Sequence, residues 1–377
     1  MVNAERLIGE FIELVQVDSE SGGERQIADL LTEKLIALGL DVFEDNAGSE
    51  VELGKGTGNL IATWPGNGGN GPVFLLSAHM DTVKPGRGVK PQRQNGVIKS
   101  SGDTILGSDD KAGIAAILEA LRVIKEQNIS HGGLQVVFTV GEEIGLVGAK
   151  KLDYSRIKAG MGFVLDSGGP AGEIIIQAPQ QYTFKAVIKG KAAHAGMAPE
   201  QGINAIVVAS HAIANMHTGR IDSETTSNIG IISGGVATNI VPEQVTIQGE
   251  VRSLKPAKAK AQLEHMLDEL KKAVEQFQAT LDLQVEKEYD EIDLNPAALP
   301  VRIAVQAAKN IGVEAILTKT GGGSDANVFN GKGLACVNLG IGMQRVHTTD
   351  EFIMEEDLVN NARLVVEIIK VAQEMKG

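Results

Sequence analysis

The sequence predicts an α/β protein, a mostly parallel mixed sheet with helices on both faces, into which a smaller α+β unit is inserted. Three observations carry this. Short apolar runs of strand length, NLIATW from Asn59, VFLLSA from Val73, LQVVFTV from Leu134 and GFVLD from Gly162, are interleaved with helical patterns. From about Gln180 the texture changes to the apolar-polar alternation of half-exposed antiparallel strands, and after about Asp293 the first texture resumes. The length, 377 residues, suits two domains at roughly 100 to 200 residues each.

Taken in order, Leu7, Ile8, Phe11, Ile12 and Val15 recur at helical spacing, and Ile27, Leu30, Leu31 and Leu35 repeat the pattern up to Gly39, where a glycine can close the helix. A long helix from about Asp110 to Gln127, containing AGIAAILEALRVI, separates the second strand from the third. YTFKAVIKGK then reads as a strand, NAIVVASHAIANM as a helix, TSNIGIIS and QVTIQGEVRS as strands, Pro256 to Thr280 as a charged helix and LDLQVEKEY as a strand. Strand, helix, two strands, helix, strand is the split βαβ, ferredoxin-like order. A helix near Ala297 to Ile311, the strand LACVNLG and a helix from about Glu355 to Lys376 complete the chain. The expected domains are therefore 1–179 with 294–377, and an inserted 180–293, with hinges near Pro179 and Asp293.

Composition narrows the partners. Lys plus Arg number 35 against 48 Asp plus Glu, a formal charge of -13, which opposes binding to phosphate backbones or anionic lipid. No run approaches the roughly 20 apolar residues of a membrane span. Nucleic acid and membrane are thus not expected as partners. The single cysteine, Cys336, cannot form an internal disulfide, and Glu5, Glu10 and Glu13 occupy the region where a secretion signal would be basic and then apolar, so a cytoplasmic location is expected.

The side chains able to hold metal or move protons fall at the ends of predicted strands. His79 and Asp81 end VFLLSA, Glu142 and Glu143 follow LQVVFTV, and Asp166 ends GFVLD. Asp109 and Asp110 open the long helix, and His347 lies in a loop beyond VNLGIG. The carboxyl ends of strands line the crevice of an open α/β sheet, so these groups can converge on one rim. Singly, each has an ordinary structural explanation: a helix cap for Asp81 or Asp109, a solvated loop for the glutamates, a hydrogen-bonded histidine for His79 or His347. Jointly they place acids and imidazoles beside apolar strands, where burial is costly without a common partner. Imidazole with carboxylate and no thiolate suits zinc, cobalt or manganese. These groups are too many for one tetrahedral ion; two ions about 3.5 to 4 Å apart, sharing one carboxylate, would use them. Two divalent ions carry +4, and three carboxylates from Asp109, Glu143 and Asp166 with one bridging hydroxide carry -4, leaving a further carboxylate free to take a proton.

The motifs SAHMDTV, LGSDDKAGIAAIL, FTVGEEIGLVGA, VLDSGG, KAAHAGMAPEQGINAI, GGGSDANVF and RVHTTDEF occur in that order. With them the chain resembles the co-catalytic zinc exopeptidases that include peptidase T, carboxypeptidase G, aminoacylase and succinyl-diaminopimelate desuccinylase, and TILGSDDKAGIA and VLDSGG look most like the peptidase T branch. The resemblance implies that His79 and Asp166 hold one zinc, Glu143 and His347 the other, and Asp109 bridges them, with a cis peptide bond after Asp109. It implies that Asp81 orients His79 and that Glu142 is the general base toward a bridging water. It further implies that His194 supplies an oxyanion donor from the inserted domain, reaching across a homodimer formed through that domain. Arg252 matches an arginine that pairs with a substrate carboxylate, and Asn239, Gly322 and Gly323 match residues around the bound peptide. The implied reaction is release of the N-terminal residue from tripeptides. His-Ala-Gly, where peptidase T carries His-Pro-Gly, and NIVP look more like carboxypeptidase G. Dipeptidase, carboxypeptidase, N-acyl amino acid hydrolase and a non-catalytic peptide-binding relative therefore stay open as alternatives. TGGGSD lacks the lysine of a phosphate loop, and His131, His211, His217 and His265 are assigned no chemistry.

Overall fold

The computed structural model describes residues 1–50 and 56–375 and divides into two compact units. The first comprises Met1–Ile176, Leu294–Lys319 and the chain from Ser324 onward; the second comprises Gln177–Asp293 with Thr320–Gly323.

The first unit is built on a mixed sheet. Its strands run in the order Asp41–Glu44, Leu60–Pro65, Gly133–Thr139, Phe74–His79, Met161–Ser167, Ala335–Gly340 and Glu173–Ala178, with Ile316–Lys319 paired to the last. The four strands from Gly133–Thr139 to Ala335–Gly340 are mutually parallel, and the pairings flanking them are antiparallel. Phe74–His79 and Gly133–Thr139 are buried along their whole length, as central strands covered on both faces must be. Helix Ser108–Glu126 packs on this centre, with helices Ala4–Val15 and Glu355–Glu374 against it. Leu7, Phe11, Leu76, Ile117, Leu121, Phe163 and Ile369 belong to one continuous core.

The long helix begins at Ser108, two residues earlier than the apolar pattern indicates. Asp109 and Asp110 lie inside it with non-helical dihedrals, and the peptide bond joining them is cis. Gly113 lets the helix approach the sheet: a Cβ there would stand 2.6 Å from Leu165 O and 2.5 Å from Asp110 Oδ1. The final helix spans Glu355–Glu374, and Lys376 lies outside the described residues.

The second unit is a five-stranded antiparallel sheet in the order Gly219–Arg220, Thr225–Gly234, Gln244–Ser253, Gln180–Lys189, Thr280–Tyr289. Phe184, Ala186, Ile188, Val245 and Ile247 bury one face under helices Ala205–Asn215 and Pro256–Gln276, through Val208, Ala212, Leu263, Met266 and Leu270. The second helix ends at Gln276, short of the expected Thr280, because Thr280 already pairs with Lys189. Among the described residues, no helix is long and apolar enough to cross a membrane.

Candidate metal centre

The parallel register sets the site. His79 is the last residue of its strand and lies opposite Thr139, so the HMD and GEE segments leave the sheet side by side; Met80 N donates to Thr139 O at 2.8 Å. Asp166 is the last residue but one of the neighbouring parallel strand, and its main chain is held by Asn338: Asp166 N donates to Asn338 Oδ1 at 3.0 Å, and Asn338 Nδ2 donates to Asp166 O at 2.8 Å. Asp109 enters from the helix start and His347 from the loop beyond the strand Ala335–Gly340.

These groups form two clusters that share one residue. His79, Asp109 and Asp166 make one, and Asp109, Glu143 and His347 the other, with the ligand atoms of each all within 4.8 Å of one another. Asp109 divides its oxygens between them: Oδ1 lies 3.0 Å from His79 Nε2 and Oδ2 lies 3.2 Å from His347 Nε2. Glu143 meets His347 Nε2 at 3.1 Å, and Asp166 lies 3.9 Å from His79 Nε2.

Asp81 is fully buried and organises the rim. The nearer acceptor for His79 Nδ1 is the main-chain O of Asp81 at 2.9 Å, with the carboxylate at 3.5 Å. The carboxylate accepts the main-chain N–H of Glu142 at 2.9 Å and of Glu143 at 3.3 Å, together with Ser21 Oγ at 2.6 Å. Asp81 thus anchors the loop that carries both glutamates as well as the imidazole.

Burial pushes Glu142 well above the usual carboxylate range, and the charge of Asp166 adds to it. Burial does the same to Asp166, reinforced by Asp109. His347, facing Asp109 and Glu143, is pushed up to about 10 by their hydrogen bonds. Asp109, against the pull of burial, is held below its usual range by hydrogen bonds from His347 and His79, so the clusters combine one readily ionised acid, two that resist ionising and an imidazole that favours its proton. Imidazole and carboxylate donors at ligand spacing therefore fit two divalent cations, with Asp109 common to both.

The remaining predicted residues belong to the second unit. His194 Nδ1 accepts from Gly196 N at 3.2 Å and Met197 N at 3.1 Å, which puts the ring proton on Nε2. Asn239 is its neighbour, through Ala195 N donating to Asn239 O at 3.0 Å. The Arg252 guanidinium is held by Glu250 through Nε and Nη2, each at 3.1 Å. Gly322 N donates to Thr320 Oγ1, and a Cβ on Gly323 would stand 2.2 Å from the Tyr289 ring, so that glycine is required by packing.

Several further polar groups hold the rim, of which Asp325 and Glu351 lie in motifs that the sequence singles out, GGGSDANVF and RVHTTDEF. Glu24 accepts Gly141 N at 3.2 Å, Ser19 Oγ donates to Met80 O at 2.8 Å, and Asp325 accepts Thr139 Oγ1 at 2.5 Å. Burial pushes Asp325 up to about 6. The buried Asn338 and Glu351 act on the main chains of Asp166 and Asp109. An asparagine inside the apolar run ACVNLG was the most legible of these signals, since an unpaired buried amide is expensive.

A mixed α/β sheet with two carboxylate and imidazole clusters at its strand ends defines a metallohydrolase. The model of peptidase family M20/M25/M40 matches residues 75–371, and the chain belongs to that family of metallo-exopeptidases. The crystal structure of aminopeptidase PepT from Bacillus cereus ATCC 10987 superposes with a TM-score of 0.91 at 47% identity, over 98% of this chain and 99% of that one. That of a tripeptidase from Staphylococcus aureus subsp. aureus Mu50 superposes with a TM-score of 0.94 at 43% identity, over 100% of both chains. The protein YqjE of Bacillus subtilis (strain 168) is 48% identical over 372 residues, 99% of this chain and 100% of the relative. The expectation of a peptidase T-like exopeptidase and of its α/β fold is met.

Proposed function

We propose that this chain is an aminopeptidase that releases the N-terminal residue of short peptides, tripeptides in particular, with two divalent cations at the shared clusters. The observation that carries the reading is the division of the Asp109 carboxylate between two imidazoles, His79 and His347, each backed by a further acid. The substrate class is supported by relatives named as an aminopeptidase and a tripeptidase at 47% and 43% identity.

In this reading His79 and Asp166 would hold one cation and Glu143 and His347 the other, with Asp109 common to both; zinc is the ion we assign, and cobalt or manganese meets the same donor set. When bound, such a pair polarises the scissile carbonyl and lowers the pKa of a water toward ~7. Glu142 would take the proton from the attacking water and return it to the leaving amine, a role suited to a buried carboxyl whose pKa is raised. Asp81 holds the main chain of Glu142 while fixing the ring of His79. His194 offers Nε2–H to the developing oxyanion, contributed across a homodimer formed through the inserted unit, on which Ile206, Val207, Ile231 and Ile232 are exposed apolar residues. Arg252 pairs with the substrate carboxylate, and Asn239, Gly322 and Gly323 line the peptide.

The deciding experiment measures bound metal per chain together with cleavage of a free tripeptide, its N-blocked form and its C-terminal amide. Two ions and cleavage of the free peptide alone are expected. Comparable cleavage of the N-blocked peptide would move the enzyme to the deacylase or carboxypeptidase side of the family, and activity that survives exhaustive chelation would remove the metals from the reaction.

A further inference from the structure

Glu351 lies four residues after His347 and is 1% exposed. Its carboxylate reaches across to the segment that presents Asp109, more than 240 residues away in sequence. Oε2 accepts Leu106 N at 2.8 Å and Gly107 N at 2.9 Å; Oε1 accepts Ser108 Oγ at 2.5 Å and Asp109 N at 3.2 Å. Its own loop is compact: Glu351 N donates to Thr348 O, Thr348 Oγ1 to Arg345 O, and Asp350 N to Thr348 Oγ1. His347 sits in that loop at φ 63 with its side chain 52% exposed, so the loop anchor fixes where the ring points. We propose that Glu351 is a positioning residue that sets the distance between Asp109 and His347, and so the affinity of the second cation. This rests on the di-metal reading above.

The asymmetry follows from the surroundings of the two imidazoles. His79 is buried at a strand end, its Nδ1 on Asp81 O and its main-chain N on Asp110 Oδ2, so it keeps two seats independent of Asp109, which its ring meets through Nε2 and which Glu351 holds. The ring of His347 is half exposed and meets Asp109 and Glu143 through Nε2. A residue that only capped the helix Ser108–Glu126 would stabilise the fold without distinguishing the two cations.

Two substitutions separate these roles. Glu351→Gln keeps the length but presents N–H groups to a nest of donors, and Glu351→Asp keeps the charge but withdraws it by one methylene. Zn²⁺ titrated into the metal-depleted full chain should bind in two steps to the wild type. In both variants one step should weaken ~10 to 100-fold, the usual cost of losing an outer hydrogen-bond partner of a ligand, while the other stays within about threefold. Equal weakening of both steps, or unchanged affinities with a lowered unfolding temperature, would overturn the proposal. Hydrogen exchange on the same metal-depleted proteins gives an independent readout: amides of residues 105–109 and of 344–352 should both exchange faster in the variants, and a change in neither or in one alone would also overturn it. If the wild type itself takes fewer than two ions, the di-metal reading fails, while the exchange experiment still decides whether Glu351 couples the two loops.

Discussion

Glu142→Gln tests the chemistry most directly, because the structure separates what this side chain does from what its main chain does. The loop is held by main-chain bonds: Glu142 N to Asp81 Oδ1 at 2.9 Å, and Leu146 N and Gly145 N to Glu142 O at 2.8 and 3.0 Å. Exchanging carboxylate for carboxamide leaves these intact, and it leaves Glu143, whose side chain meets His347, where it is. Loss of a general base costs about 10² to 10⁴ in turnover, or about 3 to 5 kcal/mol of transition-state stabilisation. Stability should move the other way. The folded pKa of Glu142 lies above its ordinary value of 4.5, so in metal-free protein the group's contribution to stability is full below that value and is lost as pH rises through the folded value. The amide cannot ionise, so metal-free Glu142→Gln should unfold no more easily than wild type at neutral pH. The assays are kcat on a free tripeptide, bound metal per chain, and thermal unfolding with and without chelator. A turnover within tenfold of wild type with both ions bound refutes the base assignment, and loss of an ion makes Glu142 a ligand instead.

Three further outcomes are expected. Gly113→Ala forces a methyl against Leu165 O and Asp110 Oδ1, and because Leu165 O is main chain that cannot swing aside, urea unfolding should report a loss of about 3 kcal/mol. His131, buried beside Trp64 with ring centroids 4.9 Å apart, has its pKa lowered by burial. Its stability contribution is present above the ordinary value of 6.5 and is lost as pH falls toward the folded value, at up to ~1.4 kcal/mol per pH unit; His131→Leu should flatten that acid limb of the Tm profile, and an unchanged limb would assign it to other groups. His194→Ala should keep both metals and lose rate, and mixing it with Glu142→Gln subunits should restore some activity if the imidazole acts across a dimer; no recovery confines it to its own chain.

The parts of this molecule legible from sequence are those where periodicity and chemistry coincide. The central strands announce themselves as unbroken apolar runs because both faces are buried, and the ligand residues stand out as charges at the ends of those runs. Strands such as Pro91–Gln94, Val97–Ser100 and Ile316–Lys319 did not, being four residues each and partly exposed, too short for a period to emerge. The start of the long helix was misplaced because Asp109 and Asp110 break the helical dihedrals that apolar spacing assumes. Glu351 was invisible for a different reason: DEF in a polar loop looks like any solvated acid, and only the fold brings Leu106, Gly107 and Asp109 to it.

The acids of the rim divide by what they accept from. Asp81, Glu351 and Glu24 take main-chain N–H groups, of Glu142 and Glu143, of Leu106, Gly107 and Asp109, and of Gly141, so their position is fixed by the backbone they hold. Asp109 and Glu143 take imidazole instead, and Asp166 faces one at 3.9 Å. A carboxylate bonded to several amides gives up little to a cation, whereas one whose neighbours are other acids and imidazole gains most from it. Within a single buried cluster this difference in partners separates scaffold from ligand more sharply than burial does, since Asp81 is as buried as His79. It also says where substitution should be selective. Removing an amide-bound acid loosens a loop and acts on the cations at a distance, while removing Asp109 takes a ligand from both clusters at once.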